Sequence, residues 1–284
     1  MPDSKTLRRV HETRLRDMVA SMKVAESRLT AHVAKAIRDA ESDPKRAASA
    51  AYWTDRLRDV RKATVYMDAK WRSWIGTKEG GAMRSAIRDG ARLAVPQMQS
   101  YGLERKFSLP YDSKTVVSFI EDSTALWSQA MGTAENKVER LFRATQQDLI
   151  REREINFSLT TEEIAGGAIQ RMRSTLTQQL QENADNGQFL TINGRNYQIG
   201  KYAELVARTR TREAQTIGTI RTVQEFGIDL VKWKASADAC EICLPFDGEI
   251  YSISGKSSEH PVLSESPPVH PHCTCTLTPY VEAA

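Results

Sequence analysis

Cys240 and Cys243, in CEIC, and Cys273 and Cys275, in HPHCTC, are the four thiols of a 284-residue chain, and the first 239 residues contain none. Two paired sulfur donors on either side of a loop can close a tetrahedral zinc site. Two residues between the first pair let one turn aim both sulfurs at one ion. His270 and His272 stand beside the second pair, so six donors compete for four positions. His270 and Cys273 also have two residues between them, a spacing that suits joint ligation. Cys273-Thr274-Cys275 is read as extended, with its two thiols on opposite faces, which disfavours both on one ion unless the chain turns there. The expected ligands are Cys240, Cys243 and Cys273, with His270 or Cys275 as the fourth. Pro267, Pro268 and Pro271 stiffen the backbone around them and reduce the entropy lost on binding.

Other uses of these residues fit less well. Two disulfides would consume the same cysteines, but no export signal precedes them and a reducing cytoplasm disfavours the bonds. Free buried thiols are the remaining alternative. A thiolate-rich zinc site is usually closed and structural, and neither an HExxH helix nor the HxE with PCxxC of deaminases occurs. An HNH-type nuclease needs a histidine base and metal partners, and the chain has no DH or HH dipeptide. Arg208, Arg210 and Arg212 alternate with threonines in RTRTRE. They read as a solvated or ion-paired helix face, with contact to phosphate or an acidic partner as the alternative.

The elements that must position this cluster are mostly helical. Leu15, Met18, Met22, Ala25, Leu29, Val33 and Ala36 make a narrow apolar stripe over 5–41, the seam of a coiled coil or helical hairpin. Trp53, Leu57, Val60, Met67, Trp71 and Trp74 share one face of a second helix over 45–75, packed in a core or against a partner. Gly76, Gly80 and Gly81 end it. A third helix over 82–100 has a small-residue face beside Gly90, so a neighbour can approach closely, and Pro96 should kink or shorten it. From Asp112 to Glu154 the pattern gives one long helix, or two hinged near Gly132. Thr160 and Glu163 form a capping box opening a helix to about 183. Leu190, Ile192, Tyr197 and Ile199 flank Asn193-Gly194, the strongest hairpin signal in the chain. A helix over 201–226, stopped by Gly227, leads to strands at 228–235 and 248–254, and the remainder is loop held by the cysteines. Six of the 10 prolines lie beyond residue 244, which marks a change of texture.

The expectation is therefore an α+β fold, predominantly α-helical, with a helical region over 1–186 and a small mixed module over 187–284 carrying a β-hairpin and a zinc-stapled loop. Composition fits a soluble protein: 40% hydrophobic, 27% charged, mean hydropathy −0.49. No apolar run is long enough to span a membrane, and the polar start is unlike a secretory signal. A net charge of +4 is mildly basic, well short of the dense patches of a dedicated DNA-binding protein.

The run from 201 to 279 resembles the phage head morphogenesis family, the Mu F-like minor head proteins. The matching elements come in order: Arg208-Thr209 in KYAELVARTRT; Gly227, Ile228 and Trp233 in EFGIDLVKWKAS; Asp238, Cys240, Cys243 and Gly248 in DACEICLPFDGEIY; Pro267, Pro268, His270, Pro271, Cys273 and Cys275 in PPVHPHCTCTLTP. Thr274 stands where the family usually has a basic residue. GRNYQIGKYAELVART is similar to the related minor capsid protein group. The resemblance covers about the last 90 residues and implies a minor, non-enzymatic virion component of a tailed-phage head. It further implies association with the portal protein and with major capsid or scaffold subunits during assembly. Double-stranded DNA, bound without sequence specificity, is a further partner for some members.

Overall fold

The computed structural model describes residues 4–76, 81–103, 114–156, 175–237 and 239–282. The expected start signals at Asp112 or Ser113 and at Thr160 and Glu163 lie outside them, as do Gly80 and Asp238. The described elements are α1 (Ser4–Ser42), α2 (Pro44–Ala47), α3 (Ala50–Ile75), α4 (Ala82–Ser100), α5 (Lys114–Asn156), α6 (Thr175–Asp185), β1 (Leu190–Ile192), β2 (Arg195–Tyr197), α7 (Ile199–Glu225), β3 (Leu230–Lys234), β4 (Ile250–Ser252) and β5 (Thr276–Pro279). The fold is α+β and predominantly helical, as the periodicities imply. No described helix is long and apolar enough to cross a membrane.

One helix differs from the sequence reading. The helix expected over 45–75 is broken at 48–49: α2 is a single turn, and α3 starts afresh at Ala50, where Ser49 Oγ accepts from Tyr52 N (3.3 Å). Trp53 Nε1 donates to Ala47 O across that break (2.7 Å). By contrast, α5 runs unbroken through Gly132, and α4 continues past Pro96 to Ser100.

The chain packs into two units. One consists of Met18–Trp71 and Ala125–Tyr202. Its core is the expected seam: Met22, Leu29 and Val33 of α1, with Trp53, Met67 and Trp71 of α3, are buried. Trp71 stacks on Trp127 of α5 at 4.7 Å between ring centroids, and Trp53 meets Phe142 at 5.1 Å. The tryptophan face of α3 is thus core, apart from half-buried Trp74, which belongs to the other unit. Asn193 (φ 49°) and Gly194 (φ 76°) turn the β1–β2 hairpin as the Asn-Gly signal requires. Lys137 Nζ fastens it to α5 by donating to Gln188 O (2.9 Å), Thr191 Oγ1 and Asn196 Oδ1 (3.0 Å each). The Glu26 carboxylate accepts from the backbone N–H of Ile199 and of Gly200, capping the start of α7. Burial pushes that carboxyl up, and the two N–H groups oppose the shift.

The other unit consists of Met1–Asp17, Arg72–Thr124 and Ala203–Ala284. Here α4 and α7 meet backbone to backbone. A Cβ on Gly90 would lie 1.8 Å from Gln215 O, and one on Gly218 would lie 1.9 Å from Ile87 O. Thr219 Oγ1 donates to Gly90 O at 3.2 Å across the same contact. Beyond α7, Gly227 (φ 79°) ends the helix and leads into an antiparallel sheet ordered β4-β3-β5. The chain from 273 onward, read from sequence as loop, contributes β5, paired with β3 through Trp233↔Leu277 and Lys234↔Thr276.

Gly218→Ala should therefore cost about 3 kcal/mol of stability, since backbone atoms cannot step aside as a side chain can. Gly132→Ala, in open space on α5, should gain about 0.5–1 kcal/mol through helix propensity. Denaturant unfolding of both variants checks the contact, and equal stability for the two would refute it.

Candidate metal centre

Sheet register places both cysteine clusters at one end of the sheet. CEIC lies in the connection between β3 and β4, and Lys234↔Thr276 puts the chain entering β5 alongside the chain leaving β3. The connection is shaped by local bonds. Cys243 N and Leu244 N both donate to Cys240 O (2.9 and 3.0 Å), closing the knuckle turn. A single 3-10 turn, Leu244–Phe246, follows, and Gly248 at φ 83° returns the chain to β4. Asp247 Oδ1 accepts from Ala235 N (2.8 Å), and Phe246 stacks on Trp233 at 4.7 Å. The loop after β4 is fastened by Asp229, which accepts from Ser252 Oγ and from Ser254 N (2.8 Å). Further on, Thr216 Oγ1 of α7 donates to Pro267 O (2.7 Å).

The cysteine and histidine donors converge. Those of Cys240, Cys243 and His270 lie within 4.8 Å of one another, as do those of Cys243, Cys273 and Cys275. Cys243 is common to both groups. Its Sγ is 3.7 Å from Cys273 Sγ, close to the roughly 3.8 Å that two thiolates keep around a tetrahedral zinc ion. His270 Nε2 is 3.1 Å from Cys240 Sγ and 3.1 Å from Cys243 Sγ. Zinc would set these pairs about 3.6 Å apart, so the ring would draw back slightly to admit an ion. His270 Nδ1 meets Pro271 O at 2.8 Å. That carbonyl assigns the proton to Nδ1 and leaves the Nε2 lone pair facing the sulfurs, the arrangement that orients a ligating histidine.

The opposite-face expectation for Cys273 and Cys275 fails. Residues two apart in an extended chain share a face, and both sulfurs meet Cys243. His272 does not join the cluster. Its backbone stands at φ 66° and its side chain is exposed. Sequence reasoning also missed β5 and the clamps made by Asp229 and Thr216. A signal for β5 was present: Cys273, Cys275, Leu277 and Pro279 are buried and Thr274, Thr276 and Thr278 are not, a strict period of two.

Electrostatics fit a cation at this place. The Cys243 and Ile242 N–H groups point at Cys240 and hold its exposed thiol below the usual range. Burial, then the neighbouring Cys275 and Cys273 thiols, push the Cys243 thiol well above it. Several thiols so close disfavour more than one thiolate unless a positive ion joins them. The cluster can therefore hold a metal ion. A second group, Glu259, His260 and Glu282, is a contact of His260 Nε2 with Glu282 Oε1 (2.8 Å) beside one further carboxylate.

No curated protein and no solved structure matches the chain. The family profile of phage minor capsid protein 2 matches residues 11–283. That match extends the likeness from the last 90 residues to the helical region ahead of them. The chain belongs to the phage minor capsid protein 2 family, which gives it a structural role in a phage head.

Proposed function

We propose that this protein docks at the portal vertex as a minor component of a tailed-phage head, with one structural zinc ion fixing the docking surface. The family match over 11–283 carries the first part of the reading. The sulfur and imidazole spacing supports the second, with the ion held by four of Cys240, Cys243, His270, Cys273 and Cys275. Zinc suits this donor set because soft thiolates with one imidazole select it over magnesium or calcium.

The knuckle itself supports protein docking. Ile242 and Leu244, on either side of buried Cys243, are 62% and 56% exposed. A rigid turn that holds two large apolar side chains in solvent is suited to a partner's apolar pocket. Basic residues on α1 and α3 lie beside acids: Lys35 by Asp39, Lys62 by Asp59 and Arg61 by Glu135. Such pairing favours protein contact over phosphate contact as the main task. The reading assigns the chain no catalytic step.

Elemental analysis of purified protein should find one zinc per chain. Chelation should lower Tm by about 10 °C or more. Cys243→Ser should lose the metal most completely, as that sulfur belongs to both donor groups. Zinc lost on His270→Ala but kept on Cys275→Ser assigns the imidazole as a ligand, and the reverse assigns the thiolate. A metal-free protein with an unchanged Tm would remove the zinc part of the reading.

Capture of the same phage's portal protein tests docking. The wild-type chain should retain it at low salt, and the double variant Ile242→Ser, Leu244→Ser should retain about tenfold less with unchanged zinc content. Wild-type protein that captures none would sink the portal assignment.

A further inference from the structure

The four thiols differ in what can reach them. Cys240 is exposed, while Cys243, Cys273 and Cys275 are buried. Cys243 Sγ and Cys273 Sγ are 3.7 Å apart, the contact distance of two sulfur atoms, so a bond of about 2.0 Å needs only a small closing movement. The two residues belong to different segments. Cys243 closes the knuckle turn, its N–H donating to Cys240 O (2.9 Å), and Cys273 closes the turn ahead of β5, its N–H donating to His270 O (3.1 Å). Pairing of Lys234 with Thr276 brings these segments side by side.

A bond between the two sulfurs would join positions 30 apart. It would tie together the same two segments that a shared ion ties. A Cys240–Cys243 bond would close only the knuckle itself. Stabilisation by a cross-link grows with the loop it closes, so exchange among these thiols favours Cys243–Cys273. Cys240 has a different position. It faces solvent, and its sulfur lies within 4.8 Å of that of Cys243, so it can pass a disulfide inward. A structural role in a phage head exposes such a cluster to two redox surroundings. The chain is made in a reducing cytoplasm, where disulfides do not persist, and is carried out of it in a particle, where they do.

We propose that the cluster is an exchangeable cross-link: in oxidising surroundings a Cys243–Cys273 disulfide takes the place of the metal ion, with Cys240 as the thiol that admits the oxidant. The displaced ion rests on the zinc reading; the disulfide rests on the thiols alone. The oxidant is a small soluble disulfide. The Cys240 thiolate attacks one of its sulfurs, the S–S bond breaks and one small thiolate leaves. The Cys243 thiolate attacks the Cys240 sulfur of that mixed disulfide and releases the second small thiolate. The Cys273 thiolate then attacks the Cys243 sulfur, and Cys240 leaves as a thiolate. Two cysteines are oxidised and one small disulfide is reduced to two thiols. The cysteine protons, or in the loaded chain the charge of the departing ion, balance the thiolates released.

The test uses the intact chain, purified in reductant and divided into zinc-loaded and metal-free samples. Each is exposed to excess oxidised glutathione, and disulfides are mapped by mass spectrometry of unreduced peptides. Cys243–Cys273 should be the main link in both samples, with Cys240 and Cys275 left as thiols. A colorimetric chelator should detect zinc leaving in step with the link. The oxidised metal-free chain should melt within about 5 °C of the zinc-loaded one. In the metal-free chain Cys240→Ser should slow the link at least about tenfold and leave its position unchanged. Mapping the unaltered chain needs no variant, so a variant that unfolds leaves the test intact. A main link of Cys240 with Cys243, a link to Cys275, no disulfide in either sample, or an oxidised chain that melts as low as the reduced metal-free one overturns the proposal. A chain that holds no zinc but forms the Cys243–Cys273 link loses the zinc reading and supports the disulfide.

Discussion

Three thiols and one imidazole meet around the Cys243 sulfur, and that meeting constrains the rest of the C-terminal module. The sulfur itself is buried, 3.7 Å from Cys273 Sγ and 3.1 Å from His270 Nε2. A thiolate there would be poorly solvated and would face like groups, which is why its proton is held so tightly. A divalent cation reverses that balance, because each donor then gains by losing its proton. The module's own apolar core is small: Val223, Val231, Trp233 and Leu277 close around three of the cysteines. A core of that size gains most from a cross-link. The backbone bonds at Cys240, Asp247, Asp229 and Pro267 set the loops so that the donors already lie near one another, and less ordering remains for the ion to impose.

Within the same unit α7 is the element on which the other parts rest. Gly218 lets α4 approach at backbone distance, Thr219 bonds across that contact, and Thr216 holds the loop that carries His270. Val223 enters the core under the sheet. Arg208, farther back, ties down Glu12 of α1. Arg208, Thr216, Thr219 and Val223 recur at spacings of eight, three and four, so they share one side of a single helix, with Gly218 on its flank.

Much of this was legible in sequence because it depends on period and on φ. The seam of α1, the tryptophan face of α3 and the close approach at Gly90 are all readings of a 3.6-residue repeat. Asn193-Gly194 announced its hairpin because few residue pairs tolerate two positive φ angles. The metal cluster was legible because cysteine spacing is specific. Less readable were features that depend on long-range pairing. Asp229 with Ser254, Thr216 with Pro267 and Arg208 with Glu12 join residues from 25 to 196 positions apart, and no local pattern marks them. The break between α2 and α3 falls ahead of Trp53, where the apolar stripe begins, so no periodicity marked it. β5 is a different case: the alternation that runs into it was in plain view, but its first two buried positions, Cys273 and Cys275 just ahead of the strand, were weighed as metal donors instead of as core residues.

That double identity explains how the last loop works. From Cys273 onward side chains alternate between the buried side and the exposed one. Cys273 and Cys275 face Cys243, while His272 and Thr274 stand on the side of a cavity of about 370 Å³ beside Arg208 and Arg212 of α7, which Cys273 also borders. The alternation is set by the turn just before it, where Cys273 N donates to His270 O (3.1 Å) and His272 takes a left-handed φ of 66°. A residue with a Cβ holds such a backbone only where its surroundings over-determine it. Here the surroundings are the donor cluster on one side and the sheet register on the other. Moving this turn by one residue would carry both thiols out of the cluster and put Thr274 into the core in their place. The same single turn therefore sets the metal geometry and one wall of the cavity, and neither can be repositioned without the other.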